Sequence, residues 1–211
     1  VGGATEAEAA ASATVIVNRV KNLLGSATNQ LGIVVDLDLR PEGKNGPMSR
    51  TIESHREYAQ RWASTWERQA AVRARPIGEG SLADSARALF DELAYGGVSE
   101  LEVRDIRLLK ARMENERLPR GIEPARHVKL GPGGLTDVEW TIQLIQMRAG
   151  MNNPALRTPS TTQAILSARE HELISAQDAQ TLLDAWDMAT RIRAANTLAS
   201  GRMSGVKLDV L

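Results

Sequence analysis

Between Leu31 and Arg40 apolar and polar positions alternate: Ile33, Val35, Leu37 and Leu39 fall on one side, and Val34, Asp36, Asp38 and Arg40 on the other. A period of two predicts a half-buried β-strand. Its polar face would carry Asp36, Asp38 and Arg40 in a row, neighbours about 6.5–7 Å apart. Pro41 and the turn-forming run Glu42-Gly43 and Asn45-Gly46-Pro47 end it. A single strand makes no sheet, so this segment predicts a small α/β part and a missing partner.

Elsewhere the pattern is helical. Thr5 and Glu8 have the spacing of a capping box for a helix to about Leu24, with Val17, Val20, Lys21 and Leu24 as its buried stripe and Gly25 as its stop. Helices follow over Thr51–Ala63 and Thr65–Arg75, where Tyr58, Trp62 and Trp66 recur every four residues and predict a core face. Gly78–Gly80 reads as a hinge, giving domains over 1–78 and 79–211. Beyond it come helices over Ser81–Ala94, from Ser99 to about Leu118 (stripe Val103, Ile106, Leu109, Met113), after Gly134 (Leu135, Val138, Ile142, Ile145), over Thr161–Glu172, and from Ser175 to about Ala199. Ser99/Glu102, Thr136/Glu139 and Ser175/Asp178 supply their capping spacings. The lengths and short connections predict an antiparallel helical bundle. The fold class expected is mainly α with a small α/β part.

Composition narrows the function. Lys plus Arg and Asp plus Glu both total 26 in 211 residues, so the formal net charge is zero. That argues against a generic nucleic-acid or membrane-surface binder. With no cysteine, thiolate catalysis is excluded, and His55, His127 and His171 fall at no metal-ligand spacing. No membrane-length apolar run or signal-peptide pattern is visible, so a soluble cytoplasmic protein is expected.

Two stretches carry chemistry. Carboxylates at the spacing of Asp36 and Asp38 suit Mg²⁺, and Arg40 beside them suits phosphate, although a solvated edge strand would read the same. In the second stretch, Lys129-Leu130-Gly131-Pro132-Gly133-Gly134 runs into a helix N-terminus, a place that suits an anion, although the glycines would equally permit close packing.

The longer strings resemble one family. Asp36-Leu37-Asp38-Leu39-Arg40-Pro41 with Gly43 and Gly46-Pro47 resembles the D-x-x-L-R-P-x-G-x-x-G-P segment of glutamine synthetase adenylyltransferases. Trp66 to Arg75 resembles their W-E-x-Q-A-L-x-R-A-R helix. Lys110 and Arg112 resemble a K-x-R step. Lys129 to Trp140 resembles a K-L-G-x-G-G-[LI]-x-D-[IV]-E-[FW] signature shared with PII uridylyltransferases. The resemblance covers nearly the whole chain in the same motif order. It implies an incomplete nucleotidyltransferase domain of the DNA polymerase β type followed by the bundle. It also implies transfer of AMP from ATP to a tyrosine of glutamine synthetase by a two-metal Mg²⁺ mechanism, with PII protein as a regulatory partner of the whole enzyme.

Carried over residue by residue, the resemblance makes Asp36 a catalytic metal ligand, with Asp38 a variable neighbour counted beside it. Glu67 would lie near the metals, and Arg40, Arg73, Arg75 and Lys129 would serve the phosphates. The family's G-S-D-x-D motif does not occur in this sequence. With one of three metal carboxylates, the chain is expected to be a fragment, inactive alone. Leu135-Thr136-Asp137-Val138-Glu139 has the form of the C-terminal, adenylylating half rather than the deadenylylating, phosphorolytic half. A non-catalytic helical interaction module is the reading from another class.

Overall fold

A computed structural model describes residues 5–25, 33, 35–118 and 121–200. Among them are eight α-helices and no β-strand. The chain divides into two compact units, Val1–Glu67 and Arg68–Leu211. The division falls inside a helix, and the Gly78–Gly80 segment expected as a hinge lies within the second unit.

In the first unit, helix α1 (Glu6–Gly25) begins at the expected capping box: Glu8 N–H donates to Thr5 Oγ1 at 3.3 Å and Thr5 N–H to Glu8 Oε2 at 2.8 Å. Its expected buried stripe is not buried. Val20 and Leu24 are 47% and 43% exposed, and Val15, Ile16 and Leu23 more so. The physical reason is that no layer formed by the described residues covers them. Among the described residues up to Glu67, no hydrophobic side chain is buried.

The expected strand is absent as well. Residues 31, 32 and 34 lie outside the described set, and 35–37 are irregular before turns at 38–42. Asp36 Oδ1 accepts the Asp38 N–H at 2.8 Å, an Asx turn that bends the chain where a ladder would keep it extended. Among the described residues no neighbouring strand competes for those backbone groups.

Helix α2 (Ile52–Arg61) is capped by Thr51, which accepts from Ser54 N–H. It stops at Trp62, whose φ of −129° leaves the helical range, and α3 (Thr65–Ala71) starts afresh. The break dissolves the Tyr58–Trp62–Trp66 face, because spacing every four residues aligns side chains only along one uninterrupted helix. Trp62 is 74% exposed and Trp66 is 41% exposed, so the core expected there does not form.

The second unit holds the core. Helices α4 (Ser81–Tyr95), α5 (Glu100–Glu116), α6 (Leu135–Ala149), α7 (Thr161–Glu170) and α8 (Ala176–Ser200) follow the sequence pattern closely. The reciprocal Ser99/Glu102 capping box opens α5, and Ser175 caps α8 by accepting Asp178 N–H at 3.0 Å. The Thr136/Glu139 box does not form. Gly134 is the N-cap of α6 and Thr136 is buried inside its first turn.

Helix α6 is buried on two sides. Val138 and Ile142 pack with Ile165, Ala168 and Ala179 of α7 and α8. Met147, with Trp140 and Leu144, packs with Val72, Ala94, Tyr95 and Ile106. Between these faces sit two buried glutamines. Gln143 Oε1 accepts from Gln69 at 2.8 Å, and Gln146 Nε2 donates to the Leu156 and Thr158 carbonyls at 2.6 and 2.8 Å. The second pair of bonds ties the loop between α6 and α7 to the helix it has just left. Gly150 turns the chain there, where a Cβ would lie 2.6 Å from the Tyr95 ring.

Ile142→Ala should therefore lower stability by about 2–5 kcal/mol, the range for truncating a fully buried aliphatic residue. Leu198→Ala, at a side chain 87% exposed, should change it by less than about 0.5 kcal/mol. Urea unfolding followed by helical circular dichroism checks both, with the midpoint moving and the slope unchanged.

Candidate functional site

Asp36, Asp38 and Arg40 share one loop. Asp36 is exposed and has one oxygen on Asp38 N–H, while Asp38 pairs loosely with Lys44 at 3.5 Å. Arg40 Nε donates to Gly46 O at 3.0 Å, Nη1 to Leu37 O at 2.8 Å and Nη2 to Lys44 O at 3.0 Å. One guanidinium thus staples three carbonyls and fixes the loop. Glu42 and Gly43 take left-handed conformations with φ of 64° and 57°. At Gly46 a Cβ would lie 2.0 Å from Pro41 O, so only glycine fits. The loop that carries the D-x-x-L-R-P-x-G-x-x-G string is held in shape by its own arginine and glycines.

Glu67 is fully engaged: Oε2 accepts Ser64 N–H at the start of α3, and Oε1 accepts the Tyr58 hydroxyl, both at 2.7 Å. Burial, followed by the Glu67 hydrogen bond, raises the Tyr58 phenol above its usual range, so it stays a donor. No hydrogen bond or ion pair links Glu67 to Asp36. Among the described residues no three carboxylate or histidine groups converge as a metal site. Asp36 and Asp38 alone do not complete the donor set that a resident Mg²⁺ needs.

In the second unit, Arg73 Nη1 donates to Thr161 Oγ1 at 2.6 Å, and its Nε lies 3.4 Å from Glu139. The motif glutamate and the motif arginine, 66 positions apart in the numbering (139 less 73), therefore meet. Arg75 is exposed, makes no hydrogen bond or ion pair among the described residues, and lines a cleft of about 150 Å³ with Arg87, Asp91 and Arg157. Lys129 is exposed on the glycine-rich loop.

That loop does not present a free helix N-terminus, contrary to the expectation of an anion seat. Leu135, Thr136 and Asp137 N–H donate to the carbonyls of Val128, Lys129 and Gly134 at 2.9–3.0 Å, and Gly133 N–H donates to Asp137 Oδ2 at 2.7 Å. The glycines serve close packing: a Cβ on Gly131 would sit 2.1 Å from Pro124 O, and on Gly134 2.5 Å from Val128 O. Buried His127 completes the loop by accepting Leu130 N–H on Nδ1 at 2.9 Å.

Sequence reasoning did not single out the ion pairs that anchor this loop. Lys110 of α5 contacts both Asp137 and Glu114. Away from this loop, Arg68 of α3 contacts Glu102 and donates to the carbonyls of Leu93 and Gly97, tying α3 to the turn between α4 and α5. The K-x-R step and the Asp of the glycine-rich motif were the available signals, but their pairing needs the packing of α5 against the loop. Partial burial alone would lower the Lys110 ammonium, but hydrogen bonds and attraction from Asp137 and Glu114 outweigh it and hold it above its usual range.

The comparisons follow this geometry. A model for glutamate-ammonia ligase adenylyltransferase matches residues 1–89, and one for PII-uridylyltransferase matches residues 107–205, which includes the whole glycine-rich motif. In Streptomyces coelicolor, a bifunctional glutamine synthetase adenylyltransferase/adenylyl-removing enzyme is 46% identical over 95% of this chain. Relatives of the same name are 47% identical over 99% of it in Bifidobacterium longum subsp. infantis and 40% over 96% in Nocardia farcinica. The mainly helical chain is thus similar to proteins named as adenylyltransferases. It belongs to the family of bifunctional glutamine synthetase adenylyltransferase/adenylyl-removing enzymes, and spans about 20% of the length of these relatives. No helix among the described residues is long and apolar enough to cross a membrane.

The raised Lys110 pKa fixes the sign of a pH effect. Its stabilising contribution is complete below the unfolded-lysine value of about 10.4 and is lost as pH rises through the higher folded value. Lys110→Met should remove that part of the alkaline loss of stability, so that above about pH 10.4 wild type and variant converge. Thermal melts across an alkaline pH series read this directly.

Proposed function

We propose that this chain forms part of the adenylylating half of an enzyme that transfers AMP from ATP to a tyrosine of glutamine synthetase. The observation that carries this reading is 46–47% identity, over 95–99% of the chain, to relatives named for that activity. The Leu135-Thr136-Asp137-Val138-Glu139 form of the shared motif supports the adenylylating half.

In this reading Asp36 offers one carboxylate from a loop whose shape Arg40 fixes. The remaining metal ligands come from parts of the longer enzyme that carry the G-S-D-x-D motif. Mg²⁺, when bound there, supplies charge neutralisation for the departing pyrophosphate. Glu67 acts by setting the start of α3 and orienting Tyr58, and Asp38 stays at the periphery, paired with Lys44. Arg73 and Arg75 follow α3 and bring positive charge toward the nucleotide phosphates, with Lys129 as a further exposed cation. The uncovered apolar side of α1 supports a sheet lying against it in the longer protein, and with it the incomplete polymerase-β-type domain. A cytoplasmic setting and regulation through PII protein belong to the same reading.

The adenylyl-removing activity in the relatives' names keeps one second reading in view: the phosphorolytic half, which releases ADP. AMP incorporation into unmodified glutamine synthetase, with ATP and Mg²⁺, tests the proposal. An N-terminally extended form should be active, the 211-residue chain inactive, and Asp36→Ala in the extended form should lose at least about 100-fold, as removal of a charge-stabilising group does. Activity in the short chain would refute the metal-site account. Phosphate-dependent release of AMP as ADP would assign the other half, and glutamine synthetase binding indifferent to nucleotide would leave an interaction module.

A further inference from the structure

The second unit contains a cleft that the motif analysis does not account for. Residues following α3, the face of α4 and the segment after Leu156 enclose about 150 Å³. Three guanidinium groups, Arg75, Arg87 and Arg157, line it against one carboxylate, Asp91. The volume is about ten times the roughly 10–15 Å³ that one water needs, enough for a tetrahedral oxyanion and a small substituent.

The three arginines are prepared to different degrees. Arg157 is held by its Nε on Gly150 O at 2.8 Å and its Nη2 on Met151 O at 3.0 Å, with its guanidinium carbon 5.8 Å from the Tyr95 ring centre. Its Nη1 is 3.9 Å from Asp91, beyond hydrogen-bond distance, so that nitrogen keeps donors to give. Arg75 has no hydrogen bond or ion pair among the described residues. Among the described residues Arg87 is tied only to Asp84 one turn earlier on α4, at 2.9 Å, with both side chains more than half exposed. An exposed pair of that kind holds its partners weakly and can be redirected at small cost.

We propose that this cleft binds a small phosphate-class dianion, with Arg75 and Arg87 as its mobile charged ligands and Arg157 as the fixed one. Three arginines against Asp91 and the Asp84 that pairs with Arg87 still leave one net positive charge, an attraction for an anion. Arginines carried by three separate segments can meet the several oxygens of a tetrahedral phosphate, where a planar carboxylate offers two. Tyr95, whose phenol is pushed up to about 12 by burial and then by Asp91, remains neutral beside the cleft and adds no opposing charge. The proposal shares Arg75 with the reading of the preceding section but needs neither Asp36 nor Mg²⁺.

Calorimetric titration of the 211-residue chain with inorganic phosphate tests it, in chloride of matched ionic strength and without nucleotide or metal. Saturable binding is expected. Arg75→Gln and Arg87→Gln should each weaken it about tenfold, the scale of one charge-assisted hydrogen bond, while Arg107→Gln on α5 should leave it unchanged. A parallel titration with AMP separates free phosphate from a phosphate monoester, and either ligand supports the site. Absence of saturable binding to both ligands in the correctly folded chain, or binding that both cleft variants leave intact, overturns it. Because the readout is binding by this chain alone, its failure is separate from failure of AMP transfer in the extended enzyme.

Discussion

The second unit depends on burying α6 from two sides. A helix with apolar residues on opposite faces must be enclosed, and here α7 and α8 take one face while α3, α4 and α5 take the other. Enclosure would be costly for Gln143 and Gln146 if their amides found no partners. Each has one, and Gln146 has two backbone carbonyls. These directional bonds tie the α6–α7 loop to α6, and that loop carries Arg157 into the cleft. The core and the candidate anion site are therefore consequences of one helix.

The first unit shows what happens without such enclosure. Its helices form because local signals suffice: the Thr5/Glu8 box and the Thr51 cap satisfy the first N–H groups whatever lies nearby. Its apolar side chains nevertheless remain exposed. The loop from Asp36 to Gly46 keeps a defined shape by polar means alone, through Arg40 and its three carbonyl bonds.

Several motif residues turn out to hold structure at the same atoms that would serve chemistry. Glu67 caps α3, Arg40 staples its loop, and Asp137 receives both Lys110 and Gly133 N–H. A residue used in this way positions its neighbours, so its substitution would affect activity through shape. Arg75 and Lys129 are different. Among the described residues neither side chain has a hydrogen-bond or ion-pair partner, and their charge is available to a ligand.

The sequence by itself determined the helices of the second unit and their inward faces, because capping pairs and stripes of Val, Ile and Leu act within a few residues. It also carried the family, through strings specific enough to recognise without any contact map. What tertiary structure decided were the partners across long separations: Arg73 with Glu139, Lys110 with Asp137, Gln69 with Gln143. It also decided the fate of patterns that need a partner to become real. The alternation at 33–40 makes a strand only beside another strand, and the Trp62/Trp66 spacing makes a face only along an unbroken helix. The glycine run before α6 makes an anion seat only if its N–H groups stay free. Here a turn, a helix break and the loop's own carbonyls intervened, and none of those is written in periodicity.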